Sequence, residues 1–249
     1  MPSRRFAAPL SFLAARFRPT TRLGLALTAH VALLVLLLSA FSVVTEDVVA
    51  GDELVGADGP IEGFLIDRRT AALTVAMRVF TALGSAYVVV PLLLAVGMVA
   101  RRARGSWRPL GFLAVTVGGA VLSSTLIKLL VARPRPETGA LVHALGYGFP
   151  SGHSTTAAAA WFSSAVVLGS LTANAARRVG LGAVATVVVV LVGVSRVYLG
   201  VHAPTDVLGG WALGALWVAG TLLAGRLVGV VPPTPRGVPE ASDQGCSTT

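Results

Sequence analysis

Residues 181–206 read LGAVATVVVVLVGVSRVYLGVHAPTD, and the fold turns on how this stretch is taken. Leu181 to Val194 is apolar without interruption. The segment Ser195 to Asp206 then places a guanidinium (Arg196), an imidazole (His202) and a carboxylate (Asp206) close together before another apolar run begins. Two apolar runs with a short polar break between them read as two membrane-crossing helices that meet at one membrane face. Pro204 suits the first turn of the second helix, where its missing N–H costs nothing. With the helix starting near His202, Asp206 sits one turn on, at an i,i+4 offset that brings the two side chains together. A carboxylate on one imidazole nitrogen fixes the tautomer and leaves the other nitrogen free as a nucleophile. Arg196 adds a planar cation suited to a phosphate or a carboxylate.

Composition sets the same context. The 249-residue chain is 54% hydrophobic and only 12% charged, against about a quarter charged in soluble domains. A single soluble core has no room for so many separate apolar runs, so the class is an all-α polytopic membrane bundle. The net charge of +9 rests on arginine, Lys128 being the only lysine. In a soluble chain that balance points to nucleic acid. Here it assigns basic loops to the cytoplasmic side, and no nucleic-acid partner is expected. The single cysteine, Cys246, lies in a polar tail, which rules out an internal disulfide and a cysteine metal set.

Six spans are expected within residues 23–230: 23–44, about 83–100, 109–131, 153–171, 179–199 and 204–230. The first is too long for the apolar part of a signal peptide and is read as retained. Residues 1–22 carry Arg4, Arg5, Arg16, Arg18 and Arg22 and no acid, and form a basic N-terminal segment. Residues 45–70 are an acidic, glycine-rich loop, with an interfacial helix over about 61–80 that includes Arg68, Arg69 and Arg78. Residues 231–249 are a Pro-rich, then Ser/Thr-rich tail expected to be disordered. The basic stretches 1–22, 101–108 and 173–178 fall on one side of this arrangement and the acidic loop on the other. Both termini are therefore expected in the cytoplasm of a plasma-membrane protein, with loops 132–152 and 200–203 facing outward.

Three polar clusters reach that outer face: Lys128 with Arg133 and Arg135, then Pro150-Ser151-Gly152-His153, then Arg196, His202 and Asp206. One lysine and several arginines suit a highly charged anion. A helix opening at Ser151 to His153 offers free N–H groups, and Gly152 lets the backbone approach an anion closely. Such a set serves phosphoryl transfer, where positioning and electrostatic stabilisation carry most of the catalysis. The clusters hold a single Asp, too few carboxylates for a two-metal site, so no metal and no cofactor is expected.

These clusters resemble the three motifs of the type-2 phosphatidic acid phosphatase superfamily, which also includes vanadium haloperoxidases. K-x6-R-P is matched by Lys128 to Pro136, P-S-G-H by Pro150 to His153, and S-R-x5-H-x3-D by Ser195 to Asp206, in order and with full spacing. The resemblance covers about residues 70–225. It implies that His202 attacks phosphorus to form a phosphohistidine, that Asp206 orients His202, and that His153 protonates the leaving oxygen and then helps activate water. It further implies that Lys128, Arg135 and Arg196 bind the phosphate oxygens, assisted by Ser151 and Gly152, without a metal. The implied substrate is a membrane lipid phosphate in the outer leaflet, with phosphatidic acid and undecaprenyl diphosphate as leading candidates.

Taken singly, these residues have plainer readings. Lys128 and Arg135 read as interfacial anchors, Ser151 as an ordinary helix N-cap, and His202 with Asp206 as a structural pair. Jointly, the three motifs favour the catalytic reading. Arg133, outside the fixed motif positions, reads as a headgroup contact. His30 reads as an interhelical hydrogen-bonding residue, His143 as a solvated loop residue, and the four tryptophans as including interface anchors. Two rival functions are a vanadate-dependent haloperoxidase and a lipid-phosphate binder or transporter without turnover.

Overall fold

The computed structural model describes residues 22–136 and 139–227. The tail expected to be disordered and nearly all of the basic N-terminal segment lie outside the described residues. Among those described are α1 (Arg22–Ala50), α2 (Glu53–Gly56), α3 (Asp58–Ile66), α4 (Ala71–Ala82), α5 (Ala86–Arg104), α6 (Arg108–Val131), α7 (Gly152–Gly169), α8 (Ala175–Tyr198) and α9 (Pro204–Leu227), and no strand. Five of these, α1, α5, α6, α8 and α9, are long and apolar enough to cross a membrane.

The helix expected as the fourth span, α7, is not among the five. Its sequence opens GHSTTAAAAWFSS, and its buried residues include Ser154, Thr155, Ser163, Ser164 and the run Ala157 to Ala160. The reason is its position: α5, α6, α8 and α9 all pack on it. A helix enclosed by others needs no greasy surface, and small residues let its neighbours approach closely. On the α9 side that approach is made by glycine. A Cβ at Gly214 would meet the Thr155 carbonyl oxygen and the Ala158 Cβ at 2.6 Å, and one at Gly210 would meet the Ser151 carbonyl oxygen at 2.7 Å. Gly214→Ala therefore pushes α9 off α7. We expect a loss of about 1–3 kcal/mol, read as a lower apparent Tm in detergent.

Helix α1 runs antiparallel to α9. His30 faces Arg226 at one end (3.4 Å), a Cβ at Gly220 would meet Leu34 mid-way (4.0 Å), and Phe41 stacks on Phe149 at the other end, with ring centroids 6.1 Å apart. His30 also donates Nδ1–H to the Ala26 carbonyl at 2.6 Å, as suits a packed residue within a span. Three tryptophans are interhelical donors: Trp161 to the Leu83 carbonyl, Trp211 to the Val189 carbonyl and Trp217 to Ser123 Oγ, each at 3.1 Å. Only Trp107 has the exposed position of an interface anchor, under the Arg101 guanidinium at 4.0 Å.

Two boundaries differ from the sequence reading. The first span continues to Ala50, so Glu46 and Asp47 are helical; the Asp47 carboxylate then accepts from the Leu54 and Val55 N–H groups and starts the return. The single interfacial helix expected over 61–80 is two helices. It breaks before Thr70, whose extended backbone and hydroxyl cap α4 by accepting from Leu73 N–H at 3.2 Å. Arg69, at the break, donates to the carbonyls of Tyr198 and Gly139, and Arg78 donates to that of Leu141. These two arginines pin the loop after α6 and the end of α8.

Candidate active site

The C-terminal ends of α6 and α8 and the N-terminal ends of α7 and α9 converge at one end of the bundle. Ser151 N–H donates to the Asp206 carbonyl at 2.9 Å, which joins the starts of α7 and α9. All eight residues expected at the site lie on these helix ends or on the adjoining loops.

His202 sits just before α9 and is 2% exposed; Asp206 in the first turn is fully buried. His202 Nδ1 lies 3.2 Å from Asp206 Oδ2, and Nε2 lies 3.1 Å from Arg135 Nη1. Arginine can only donate, so Nε2 is the acceptor and Nδ1 carries the proton toward Asp206. The free lone pair of the imidazole thus points at the cations, the geometry required of a nucleophile attacking a bound oxyanion. Asp206 Oδ2 also accepts from Ala203 N–H at 3.0 Å.

Arg135 is aimed by carbonyls: Nε donates to Gly146 (2.8 Å), Nη2 to Leu145 (2.9 Å) and Nη1 to Val201 (2.6 Å). Lys128, in the last turn of α6, donates to the Tyr147 and Gly148 carbonyls at 2.9 and 3.2 Å. Arg196 is 5% exposed, donates Nη1 to Thr81 Oγ1 at 2.8 Å, and leaves its buried Nε without a partner among the described residues. A buried, unsatisfied guanidinium N–H fits an anion oxygen. His153, in the first turn of α7, is partly buried, makes no side-chain hydrogen bond among the described residues, and lies within electrostatic reach of Arg196, His202, Arg135 and Lys128. Ser151 is buried and its hydroxyl accepts from Ser154 Oγ at 3.0 Å without capping α7, so the first-turn N–H groups of that helix have no side-chain cap. Among the described residues no three His, Cys, Asp or Glu side chains gather as a metal set would. His143 is exposed on the loop, as expected.

Three residues belong here that the sequence reading left out. Arg133 does not face headgroups: Nη1 donates to Asp206 Oδ1 at 2.7 Å and to Thr205 Oγ1 at 2.7 Å, and Nη2 donates to Asp58 Oδ2 at 2.8 Å. Asp58, from the acidic loop, is 5% exposed and accepts from the Thr205 N–H and hydroxyl at 3.0 and 2.6 Å. Burial works to lower the Arg133 pKa, but the Asp206 charge and the bonds to both carboxylates outweigh it and raise the value, so the guanidinium is a fixed cation. On the same short helix, Glu62 is pushed up to about 7, by burial first and then by the charges of Asp58 and Asp206. No motif marks Asp58 or Thr205. Arg133 carried only its place between Lys128 and Arg135.

The fold and site define a helical membrane protein with a histidine–aspartate dyad facing a cluster of three cations at one end of its bundle. The sequence profile of the PAP2 superfamily matches residues 109–227, which contain all three clusters. Phosphatidylglycerophosphatase B of Bacillus subtilis (strain 168) is 37% identical over 161 residues, 64% of this chain and 79% of the relative. The crystal structure of a transmembrane PAP2-type phosphatidylglycerolphosphate phosphatase from Bacillus subtilis superposes with a TM-score of 0.73 at 31% identity, covering 80% of this chain and 98% of that one. The Aquifex aeolicus LpxE structure shares the fold, with a TM-score of 0.53 at 23% identity over 67% of this chain and 94% of that one. The chain belongs to the PAP2 superfamily.

Proposed function

We propose that the chain is a lipid phosphate phosphatase that removes the terminal phosphate of phosphatidylglycerophosphate through a phosphohistidine. The observation that carries this reading is His202, with Nδ1 on Asp206 and Nε2 facing Arg135. Nε2 attacks phosphorus and the P–O bond to the lipid breaks. Lys128, Arg135, Arg196 and the α7 N–H groups at Ser151 to His153 balance the charge on the phosphoryl oxygens. Asp206 accepts the hydrogen bond from Nδ1–H and stabilises the positive ring that forms. His153 gives a proton to the departing lipid oxygen, then takes one from the water that attacks the phosphohistidine. The charge comes from side chains, so turnover needs no metal. The headgroup choice rests on the names of the relatives from Bacillus subtilis.

In this reading α7 is the fourth of six spans, the site lies on the outer side of the cytoplasmic membrane, and both termini are within the cell. This topology is supported by Arg101, Arg102, Arg104, Arg108, Arg177 and Arg178 at the end of the bundle away from the site, and by Glu46, Asp47, Asp58 and Glu62 at the site end. Residues 23–230 then form one catalytic domain between a basic segment and a tail.

The test is phosphate release by purified full-length protein in detergent with EDTA present, on phosphatidylglycerophosphate, phosphatidic acid and undecaprenyl diphosphate. The expected result is turnover of all three substrates, fastest on the first. Preference for another substrate would overturn the headgroup assignment. No release from any would favour the binder reading. Activity that EDTA abolishes and magnesium restores would overturn the metal-independent mechanism.

The nucleophile must be a neutral ring. His202, outside the spans, has its pKa lowered from 6.5 to about 4, by burial first and with help from Arg196 and Arg135; the Asp206 bond and charge oppose the shift without reversing it. A lowered value keeps the ring neutral as pH falls, so protonation and loss of the nucleophile come only near pH 4. Nitrogen-15 NMR of labelled histidine in detergent, with the His202 signal identified by its absence in His202→Asn, checks this. A midpoint near 6.5 would mean that the Asp206 charge, or water reaching the ring, offsets burial.

A further inference from the structure

The unexplained feature of the site is the second arginine of Ala132-Arg133-Pro134-Arg135-Pro136. Pro134 and Pro136 hold this segment extended, and residues two apart in an extended chain share a face. Both guanidinium groups therefore reach the same dyad from one side. Arg135 meets the ring nitrogen of His202, and Arg133 meets the far oxygen of Asp206.

We propose that Arg133, shared between Asp206 and Asp58, is a positioning residue that locks the carboxylate of the dyad and ties its geometry to the loop following the first membrane helix. This rests on the phosphatase reading above. A fully buried carboxylate is tolerable only with its oxygens satisfied. Oδ2 is taken by His202 and Ala203, and Oδ1 by Arg133. With Oδ1 untied, the carboxylate can turn about its χ2 axis, and the Nδ1 bond that sets the tautomer is no longer held.

The charge count points the same way. Arg133 between Asp206 and Asp58 leaves a cluster with one net negative charge. When His202 carries phosphate its ring becomes cationic, and cluster and ring together are then neutral. Thr205 Oγ1 accepts from Arg133 and donates to Asp58, so without Arg133 the two carboxylates face each other across Thr205 with no cation between them. Asp58 in turn fixes Arg133 and the Thr205 N–H, so α3 acts as a bracket on the first turn of α9. A headgroup ligand would present its guanidinium to the lipid. The Arg133 side chain is 16% exposed, and three of its N–H donors go to Thr205, Asp206 and Asp58.

The experiment uses the full chain and steady-state phosphate release, once wild-type turnover has established the phosphatase reading by itself. Arg133→Gln is expected to lower kcat about 10- to 100-fold with KM within about twofold, whereas Arg135→Gln, at a phosphate ligand, raises KM. Arg133→Lys recovers part of kcat. In an Asp206→Asn background, Arg133→Gln costs less than about twofold further, because a residue acting through Asp206 has nothing left to position. Asp58→Asn, which keeps the bulk of the bracket, lowers kcat less than Arg133→Gln and leaves KM alone. If Arg133→Gln does not fold, Arg133→Lys and Asp58→Asn decide the matter by the same split between kcat and KM. A raised KM with unchanged kcat would make Arg133 a substrate ligand, and an equal loss with and without Asp206 would make it merely structural. Either result overturns the proposal.

Discussion

His202→Asn leaves a folded, membrane-inserted protein whose phosphate release falls by about ten-thousand-fold or more, the scale seen when a nucleophile that works as part of a unit is removed. Asparagine is the informative replacement. Its amide can still donate to Asp206 Oδ2, so the buried carboxylate keeps that partner along with Arg133 and Ala203 N–H. The substitution removes the lone pair facing Arg135 and little else. Thermal melting in detergent, compared with wild type, shows whether the fold survived. The covalent step has its own signature. Wild type quenched during turnover of phosphate-labelled lipid carries protein-bound label that alkali spares and acid releases, as a phosphoramidate bond requires. His202→Asn carries none. A variant that keeps more than about a tenth of wild-type turnover, or keeps the label, would remove His202 from the role of nucleophile.

The parts of this site that were legible in the sequence are those whose geometry is local. His202 and Asp206 stand one helical turn apart, so their spacing alone brings them together. Ser151 to His153 opens a helix, and the Pro-Ser-Gly preceding and starting that helix says so. Arg196 lies in the last turn of an apolar run where a charge needs a purpose. What the sequence did not disclose are contacts between distant segments. Arg133 meets Asp206 across 73 residues and Asp58 across 75, while Asp58 meets Thr205 across 147. Nothing in the acidic loop distinguishes Asp58 from Asp52 or Asp67, because its burial arises only when α3 docks on α9. The same limit explains α7. Its low hydropathy is intelligible once four helices surround it, but the sequence alone does not say which helix will be enclosed. Apolar run lengths located the long helices well, and their ends moved where a cap such as Thr70 or Asp47 had more influence than hydropathy.

His153→Ala tests the other half of the chemistry, and its effect should depend on what leaves. A lipid leaves as an alkoxide, a strong base that needs a proton as the P–O bond breaks. Removing a general acid then costs about 10²–10⁴-fold in kcat/KM. A nitrophenolate is a weak base and leaves unprotonated, so on a nitrophenyl phosphate substrate the first step should lose no more than about tenfold. His153 makes no side-chain hydrogen bond among the described residues, so alanine removes no polar tie that the fold depends on. The second step still suffers, because the same imidazole activates water. The nitrophenyl substrate should therefore give a burst of about one nitrophenolate per protein, followed by slow turnover while the phosphohistidine waits for water. Equal losses on both substrates would mean that His153 binds the phosphate and does not move protons. A small loss on the lipid would place the acid elsewhere. In either case the positive end of α7 would still serve the phosphoryl oxygens, because that part of the site depends on backbone N–H groups and not on the imidazole.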